Sequence, residues 1–293
     1  MSRSRLVPGA EVVAVPGRGL ALRTPGGEFL GVRTGGADER ALLARLADGT
    51  AGPADPELDR VVHAFEQAGY LTDGSPPGGW PAARRRVLLL GDAVLTGPLA
   101  AQLTALGAEP YPAPAGAGDP PATDPTAPPG TGDLLATDPA AVVWCLDGPV
   151  PGGLWDGADR LPEHGVAWLR CHREGRQAFV EPVAAAPGDV TSAHVRSRRL
   201  AATPAHRELA AYWSGPRVSG APAGLTPPAA ALLAALLAED LGRWATGTPG
   251  PDILPARLPA RLRLRRVDLT TLTVTAHPVL PVPEVAPAPG GHG

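Results

Sequence analysis

Four of the seven histidines, together with both cysteines, are candidates to hold a metal ion: His164, His172, His194, His206, Cys145 and Cys171. Histidine ligands on one helix are often four residues apart, and structural zinc sites commonly use C-x-x-C pairs. None of these six residues has either spacing, and free cysteine is among the residue types most often buried. The pattern therefore favours buried side chains over a metal centre, and we expect no cofactor.

Composition limits nucleophilic and nucleotide chemistry further. Ser192 and His194 could belong to a hydrolase, but the sequence has no G-x-S-x-G turn of the kind that presents a nucleophilic serine. The chain also has no lysine, so it cannot supply a phosphate-binding lysine, a Schiff base or a lysine general base. Several large classes of enzyme are therefore excluded.

Charge and hydropathy limit the partners. The net charge is −3 and no sustained basic stripe occurs, so a nucleic acid is not expected to bind. The longest apolar run, 227–238, is too short to span a bilayer, and the first residues have no apolar segment typical of a signal peptide. We expect a cytoplasmic protein that does not enter a membrane.

Positioning any site requires folded elements, and the first part of the chain predicts a small α+β unit. Short β-type runs at 11–15, 19–23 and 28–33 are separated by Pro-Gly turns. Apolar residues at helical spacing then predict helices over 38–47 and 56–68, each followed by a glycine. Three strands followed by helices indicate a winged-helix-like domain over 1–73.

The rest of the chain has the alternation of strands and helices that is typical of an α/β domain. A Pro/Gly-rich linker at 74–83 leads into this domain, which we place at 84–285, with a disordered loop at 113–132 and a flexible tail at 286–293. Strands are predicted at 84–91, 109–112, 140–146, 166–172 and 177–181, helices at 95–106, 154–163, 192–213 and 227–244, and an antiparallel strand pair at 261–267 and 271–277.

Two resemblances follow from particular motifs. The pattern Val12–Leu22, the helix end Leu42-Leu43-x-x-Leu46-x-x-Gly49 and Phe65-x-x-Ala-Gly-Tyr-Leu71 together resemble the PqqD-like recognition element of peptide-modification pathways. The segments Val87–Gly91, Gly175–Pro182 and His277–Pro281 resemble the ThiF/E1-like F proteins. Those proteins assist YcaO cyclodehydratases in thiazole, oxazole and thiopeptide biosynthesis, and the two resemblances cover nearly the whole chain.

The sequence departs from the E1-like pattern at the residues that matter for catalysis. E1-like enzymes have a glycine-rich turn that lets backbone N–H groups approach the ATP phosphates, but here the turn is Gly91-Asp-Ala-Val-Leu-Thr-Gly97. Asp92 would repel a triphosphate. Many relatives carry two C-x-x-C zinc pairs, which would fall near Ser192–Val195 and near Glu284 and Val285, where no cysteine stands. The resemblance therefore implies a degenerate domain without adenylation or zinc.

The resemblance and the elements together predict a leader-binding groove in the first domain. A peptide can add itself to an exposed strand edge and place its apolar side chains against a neighbouring helix. The alternative is that several of these residues are simply core, because alternate residues of a strand face opposite sides. The candidate residues are Glu28, Phe29, Leu30, Val32, Arg33, Leu58, Arg60, Val61, Val62 and Phe65.

Two other segments are open to two interpretations. Arg196, Arg198 and Arg199 could contact an acidic partner surface or could form a solvated helix face. The apolar helix 227–241 could lie in the core or could form a subunit contact. A homodimer is left open.

The function expected from the sequence is binding without catalysis. The chain would capture the leader of a ribosomally made precursor peptide and present it to a YcaO-type cyclodehydratase, raising the effective concentration of the core peptide there. The alternatives are an active E1-like adenylating enzyme and a dimeric scaffold that binds no peptide. Titration with ATP distinguishes the expected function from an adenylating enzyme, and capture of the precursor peptide distinguishes it from a scaffold.

Overall fold

Two compact units, Met1–Gly78 and Gly79–Gly293, divide the computed structural model of the chain. The structure describes residues 5–48, 55–72, 79–112, 131–215, 218, 224–247 and 258–283. We refer to the two units as unit 1 and unit 2.

Unit 1 contains the three predicted strands as an antiparallel meander. Strand β1 is Arg5–Leu6, β2 is Glu11–Val15, β3 is Gly19–Arg23, β4 is Phe29–Val32 and β5 is Leu71–Thr72. The meander has the order β2-β3-β4, and β1 pairs with β5 in a separate two-stranded ladder. Strand β4 is therefore at one edge of its sheet.

Two helices cover the buried face of the meander. Helix α1 is Glu39–Asp48, and α2 is Pro56–Gln67. The Asp55 carboxylate caps α2 by accepting hydrogen bonds from two backbone N–H groups of its first turn at 3.0 and 3.3 Å. The core between sheet and helices is apolar and consists of Leu20, Leu22, Ala37, Leu42, Leu46, Leu58, Val61 and Phe65.

Unit 2 is built on a seven-stranded mixed sheet. Its strands are β6 (Arg86–Gly91), β7 (Glu109–Pro112), β8 (Ala141–Leu146), β9 (Ala167–Glu174), β10 (Gln177–Val180), β11 (Arg263–Asp268) and β12 (Thr273–Pro278). They lie in the order β12-β11-β10-β9-β8-β6-β7. The four strands β7, β6, β8 and β9 are parallel, and β10, β11 and β12 continue the sheet in antiparallel fashion. The predicted α/β class of this unit is confirmed.

The two faces of this sheet are covered differently. Helices α3 (Ala93–Ala105) and α7 (Pro227–Thr246) pack on one face, where leucines and alanines of α7 lie in the core. The other face is covered by a short helix α4 (Thr131–Leu135) and a 3-10 helix Ala158–His164, with three tryptophans in its core. Helices α5 (Ser192–Ala201) and α6 (His206–Ser214) follow in the chain.

Several predicted boundaries differ from the structure. The predicted helix 154–163 is a run of turns followed by the 3-10 helix Ala158–His164, because Pro162 lacks the N–H that an α-helix needs. Helix α4 begins at Thr131, inside the predicted loop 113–132, while 113–130 and the tail 286–293 lie outside the described residues. Trp80 is buried in the core of unit 2, although the predicted linker 74–83 includes it. In the described part of the chain, no helix has the length and apolarity needed to cross a bilayer.

Candidate functional site

Strand β4 presents an unpaired backbone edge. The Thr24 N–H donates to the Glu28 carbonyl at 2.8 Å, and β3 and β4 continue this register with Leu22 opposite Leu30. Hydrogen-bonded pairs recur at every second residue of an antiparallel ladder. The even-numbered residues of β4 therefore bond to β3, and the odd-numbered ones turn their N–H and C=O groups outward. Within the described part of unit 1, no strand pairs with that outer side.

The side chains of this edge are apolar and unusually open to solvent. Phe29 is 63% exposed and Leu30 is 42% exposed. Leu30 and Val32 share the buried face of the sheet with Leu22 and Leu20, whereas Phe29 lies on the opposite face. Exposed apolar groups clustered on one element are typical of a binding surface.

The outer face of the meander extends this apolar surface. Val13 is exposed and stands opposite Ala21, which in turn stands opposite Gly31. Directly opposite residues in a sheet point to the same face, so Val13 and Phe29 lie on one side of the meander. Sequence reasoning missed Val13, because β2 is apolar at four successive positions after Glu11 and this run does not indicate which face is exposed.

The structure divides the predicted groove residues of α2 into two groups. Leu58, Val61 and Phe65 are buried in the core of unit 1 and offer almost no surface to a ligand. Val62 is half-buried, and Arg60 is 71% exposed and paired with Glu57 at 3.0 Å. Only the latter two can meet a peptide at the surface of the helix.

The loop after β4 connects this edge to the start of α2. Glu57, in the first turn of α2, also accepts a long hydrogen bond from the Gly36 N–H at 3.5 Å. Arg33 and Glu28 are exposed at the two ends of β4, and Arg33 makes no ion pair within the described residues. An unpaired guanidinium beside an open strand edge suits an acidic side chain on an added strand.

The three arginines predicted as a partner contact are used within unit 2. Arg199 binds the Glu174 carboxylate with two hydrogen bonds, at 3.0 and 2.5 Å. Arg198 donates to two carbonyls of residues 280 and 281, both at 3.2 Å, and Arg196 lies over the Trp213 ring. These contacts attach α5 to its neighbours, so the cluster is not a set of free cations.

A second region of interest is the carboxyl edge of the parallel strands, where α/β folds bind ligands. Gly91 has a φ of +97°, and a Cβ there would lie 1.9 Å from the Cys145 carbonyl oxygen. Asp92 accepts a hydrogen bond from the Asp147 N–H at 2.6 Å, and Asp147 also pairs with Arg173. Side chains thus connect the ends of β6, β8 and β9. This arrangement requires contacts 55 residues apart in the chain, so the sequence alone could not reveal it.

A buried network of ionisable groups lies beneath α5. The fully buried Arg170 forms ion pairs with Glu181 at 2.8 Å and with Asp159 at 3.2 Å. Asp159 also accepts a hydrogen bond from the Ser192 hydroxyl at 2.6 Å. Burial raises the pKa of Glu181, and the charges of Arg170 and His172 only partly oppose this. Ser192 is therefore a buried hydrogen-bonding partner of the Asp159 carboxylate.

His172 and Glu174 extend this network toward α6. Glu174 contacts His172 at 3.4 Å and accepts a hydrogen bond from the Trp213 indole at 2.8 Å. Burial by itself raises the pKa of Glu174, but hydrogen bonds from His172 and Arg199 outweigh it and hold the pKa well below its usual range. The His172 ring stacks on Phe179 at 5.2 Å, and Arg199 covers the Phe179 ring at 3.9 Å.

The cysteines and histidines do not assemble a metal centre in the part of the chain that the structure describes. No three His, Cys, Asp or Glu side chains converge there as a ligand set. Cys145 and Cys171 are buried and stand directly opposite each other on β8 and β9. The pKa of the Cys145 thiol is raised, first by its hydrogen bond to Cys171 and then by burial.

Comparison with known proteins gives a fold but no family by sequence. No protein-family model and no curated protein sequence matches the chain. The heterocyclase TruD shares 16% identity at a TM-score of 0.57, and a heterocyclase in complex with substrate and cofactor shares 15% at 0.56. Each match covers 95% of this chain but only 41% and 38% of the respective heterocyclase chain, so this chain spans less than half their length. E. coli MccB shares 9% identity at a TM-score of 0.56, with 99% of both chains covered. The chain therefore has a mixed α/β fold similar to that of heterocyclases and of MccB.

Proposed function

We propose that this chain binds the leader of a ribosomally made precursor peptide along β4 and holds the precursor for a separate YcaO-type cyclodehydratase. The partner would form azoline or azole rings from Cys, Ser or Thr of the core peptide. The observation that carries the proposal is the open backbone edge of β4, flanked by the exposed Phe29 and Leu30. Unit 1 would then act as a PqqD-like recognition element.

The chemistry of the edge specifies what it would recognise. An added strand would take its hydrogen bonds from the outward backbone groups of Phe29, Gly31 and Arg33, and a short extended segment suffices for these three residues. Leu30 and Val62 offer apolar contacts on one face, and Arg33 offers an unpaired charge. The expected ligand is an extended peptide with apolar anchors at alternate positions and an acidic residue.

In the proposed arrangement, ring formation belongs to the partner protein, and this chain holds the precursor beside it. Holding the leader beside that protein replaces a bimolecular encounter by an intramolecular one.

The experiment that tests the proposal uses the alternation of outward and inward backbone N–H groups along β4. Gly31→Pro removes an outward N–H and leaves the ladder to β3 intact, since a prolyl residue is tolerated on an edge strand. We expect the Kd of a fluorescent synthetic leader to rise about tenfold, the upper part of the range for one lost hydrogen bond. The matched control Leu30→Pro removes an inward N–H and should expose unit 1 amides to hydrogen exchange. A leader that binds wild type and Gly31→Pro equally would place the peptide elsewhere.

A second candidate, an adenylating enzyme, has one observation in its favour. The match to E. coli MccB covers 99% of both chains. MccB has also been solved with ATP, and this chain aligns with that structure at a TM-score of 0.53 and 11% identity. Against it, the Asp92 carboxylate and its bond to Asp147 occupy the turn where phosphates would need backbone N–H groups. ATP–pyrophosphate exchange with the purified chain and its precursor peptide separates the two, and we expect no exchange above background.

A further inference from the structure

Strand β12 is an unprotected edge of the seven-stranded sheet. All six of its residues, Thr273–Pro278, are exposed, and within the described residues no strand pairs with its outer side. Proteins usually protect such an edge with charged residues, bulges or a covering element. Strand β12 carries no Asp, Glu, Lys or Arg, and its only proline is its last residue.

The register shows which backbone groups of β12 are free. The Val279 N–H donates to the Leu262 carbonyl at 2.8 Å, in line with the ladder that places His277 opposite Leu264. Since bonded pairs recur at every second residue, Thr273, Thr275 and His277 bond to β11. The N–H and C=O groups of Val274 and Ala276 therefore point outward.

The turn before β12 adds an exposed leucine in an uncommon conformation. Leu272 has a φ of +56°, a left-handed conformation that glycine adopts at much lower cost. Its side chain is exposed, as is that of Val274. Leu272 therefore adds an exposed apolar side chain beside the edge of β12.

We infer that β12 pairs antiparallel with β12 of a second copy of this chain, about a two-fold axis at Thr275, to join two seven-stranded sheets. In this register Val274 of each copy exchanges two N–H···O bonds with Ala276 of the other, giving four bonds in all. In a two-fold arrangement, any charged residue of β12 would face the same charge on the second copy. Because β12 has no Asp, Glu, Lys or Arg, the interface avoids such repulsion.

The side chains are self-complementary in the same register. On the face toward α7, Val274 meets Ala276 of the second copy, and Leu272 meets Pro278 of the second copy, so apolar groups meet apolar groups. On the opposite face, Thr275 meets its own equivalent and Thr273 meets His277 of the second copy, so polar groups meet polar groups. A two-fold interface requires a surface that matches itself in this way.

The test is a pair of charged variants at the axis. Wild type should have twice the 29.8 kDa chain mass by light scattering. Thr275→Glu alone and Thr275→Arg alone should each be monomeric, because like charges would face each other across the axis. An equimolar mixture of the two should regain the dimer mass, because opposite charges then face each other.

A control variant and an additional variant at the β12 edge complete the test. Thr104→Glu, on the exposed side of α3, should leave the dimer unchanged, and far-ultraviolet circular dichroism checks that each variant is folded. If the Thr275 variants do not fold, Ala276→Pro removes an outward N–H and should also give monomers. A monomeric wild type, a dimer that survives in both Thr275 variants, or a mixture that stays monomeric would each overturn the inference.

Discussion

Replacing Glu174 by glutamine should destabilise unit 2 in a manner that depends on pH. The Glu174 side chain is 11% exposed and holds the guanidinium of Arg199, which is 16% exposed, through two hydrogen bonds. Removing one partner of a buried ion pair costs about 3–5 kcal/mol. The amide oxygen of glutamine can still accept the hydrogen bond from the Trp213 indole N–H. We therefore expect the free energy of unfolding to fall by about 3 kcal/mol at neutral pH, the lower end of that range.

The sign of the pH dependence follows from the lowered pKa of Glu174. In the folded protein the pKa of Glu174 lies below the value of about 4.3 for an unfolded chain. The folded state therefore binds fewer protons at this site than the unfolded state does. The stabilisation is complete above that unfolded pKa and is lost as pH falls toward the folded pKa. The difference between wild type and Glu174→Gln should therefore shrink as the pH is lowered from neutrality into the acid range.

Glu181→Gln is the matched control, because the pKa of Glu181 is shifted in the opposite direction. Burial raises this pKa, so the folded state favours the protonated form, and the corresponding stabilisation is lost as pH rises through the folded pKa. Relative to Glu181→Gln, wild type should gain stability as the pH falls. The two variants should thus show opposite pH trends.

Urea unfolding followed by tryptophan fluorescence measures both trends. All six tryptophans stand at position 80 or later, so the signal reports unit 2 without a contribution from unit 1. Each variant is compared with wild type at a series of pH values. A Glu174→Gln difference that stays constant with pH, or that has the same trend as Glu181→Gln, would refute the electrostatic account.

Four further predictions test other features. Arg33→Glu should weaken leader binding by about 1–3 kcal/mol, the range for a charge-assisted hydrogen bond, while the free energy of unfolding from a thermal melt changes by less than about 0.5 kcal/mol. Arg60→Glu should weaken binding less, because Arg60 is already paired with Glu57. Equal binding by wild type and both variants would exclude this part of the edge as the binding site. Elemental analysis should find no stoichiometric zinc, because no three His, Cys, Asp or Glu side chains converge as a ligand set in the described part of the chain; one zinc per chain would show that other residues serve as ligands. Replacing 113–130 by a short Gly/Ser linker should change the melting temperature little, because the segment has almost no large apolar side chains to offset an ordering entropy of about 1–2 kcal/mol per residue; a large drop would indicate packing. Gly91→Ala should strongly destabilise unit 2, because its Cβ would overlap the Cys145 carbonyl; a melt like that of wild type would contradict the geometry.

Local pattern was sufficient for most elements but not for the contacts among them. Alternation predicted β11 and β12 as an antiparallel pair, and the apolar helix 227–244 is α7 to within two residues. The sequence could not predict that Trp80 enters the core, because its Pro- and Gly-rich neighbours are typical of a linker. Burial of a lone tryptophan depends on the sheet and helices that pack around it.

The candidate site shows the same division between local and long-range information. The exposure of Phe29 could be expected from strand alternation. The exposure of Leu30, which lies on the opposite face, and the identity of the free backbone groups required the structure and the register with β3. Leu58, Val61 and Phe65 have the spacing of a helix face, which a groove and a core would equally produce. Only packing against Leu20 and Leu42 distinguishes these two uses.

The close approach of Gly91 to the Cys145 carbonyl has a consequence for how such turns are interpreted in other genomes. A glycine at the end of the first strand of an α/β domain is typical of a phosphate-binding turn. In this chain the position excludes every side chain because the neighbouring strand end occupies the space, whether or not a phosphate is present. Packing alone therefore requires a glycine here, so the presence of the glycine does not by itself distinguish a nucleotide-binding turn from a turn with a purely structural role. A motif search that relies on this glycine would assign ATP-dependent activity to both kinds of protein.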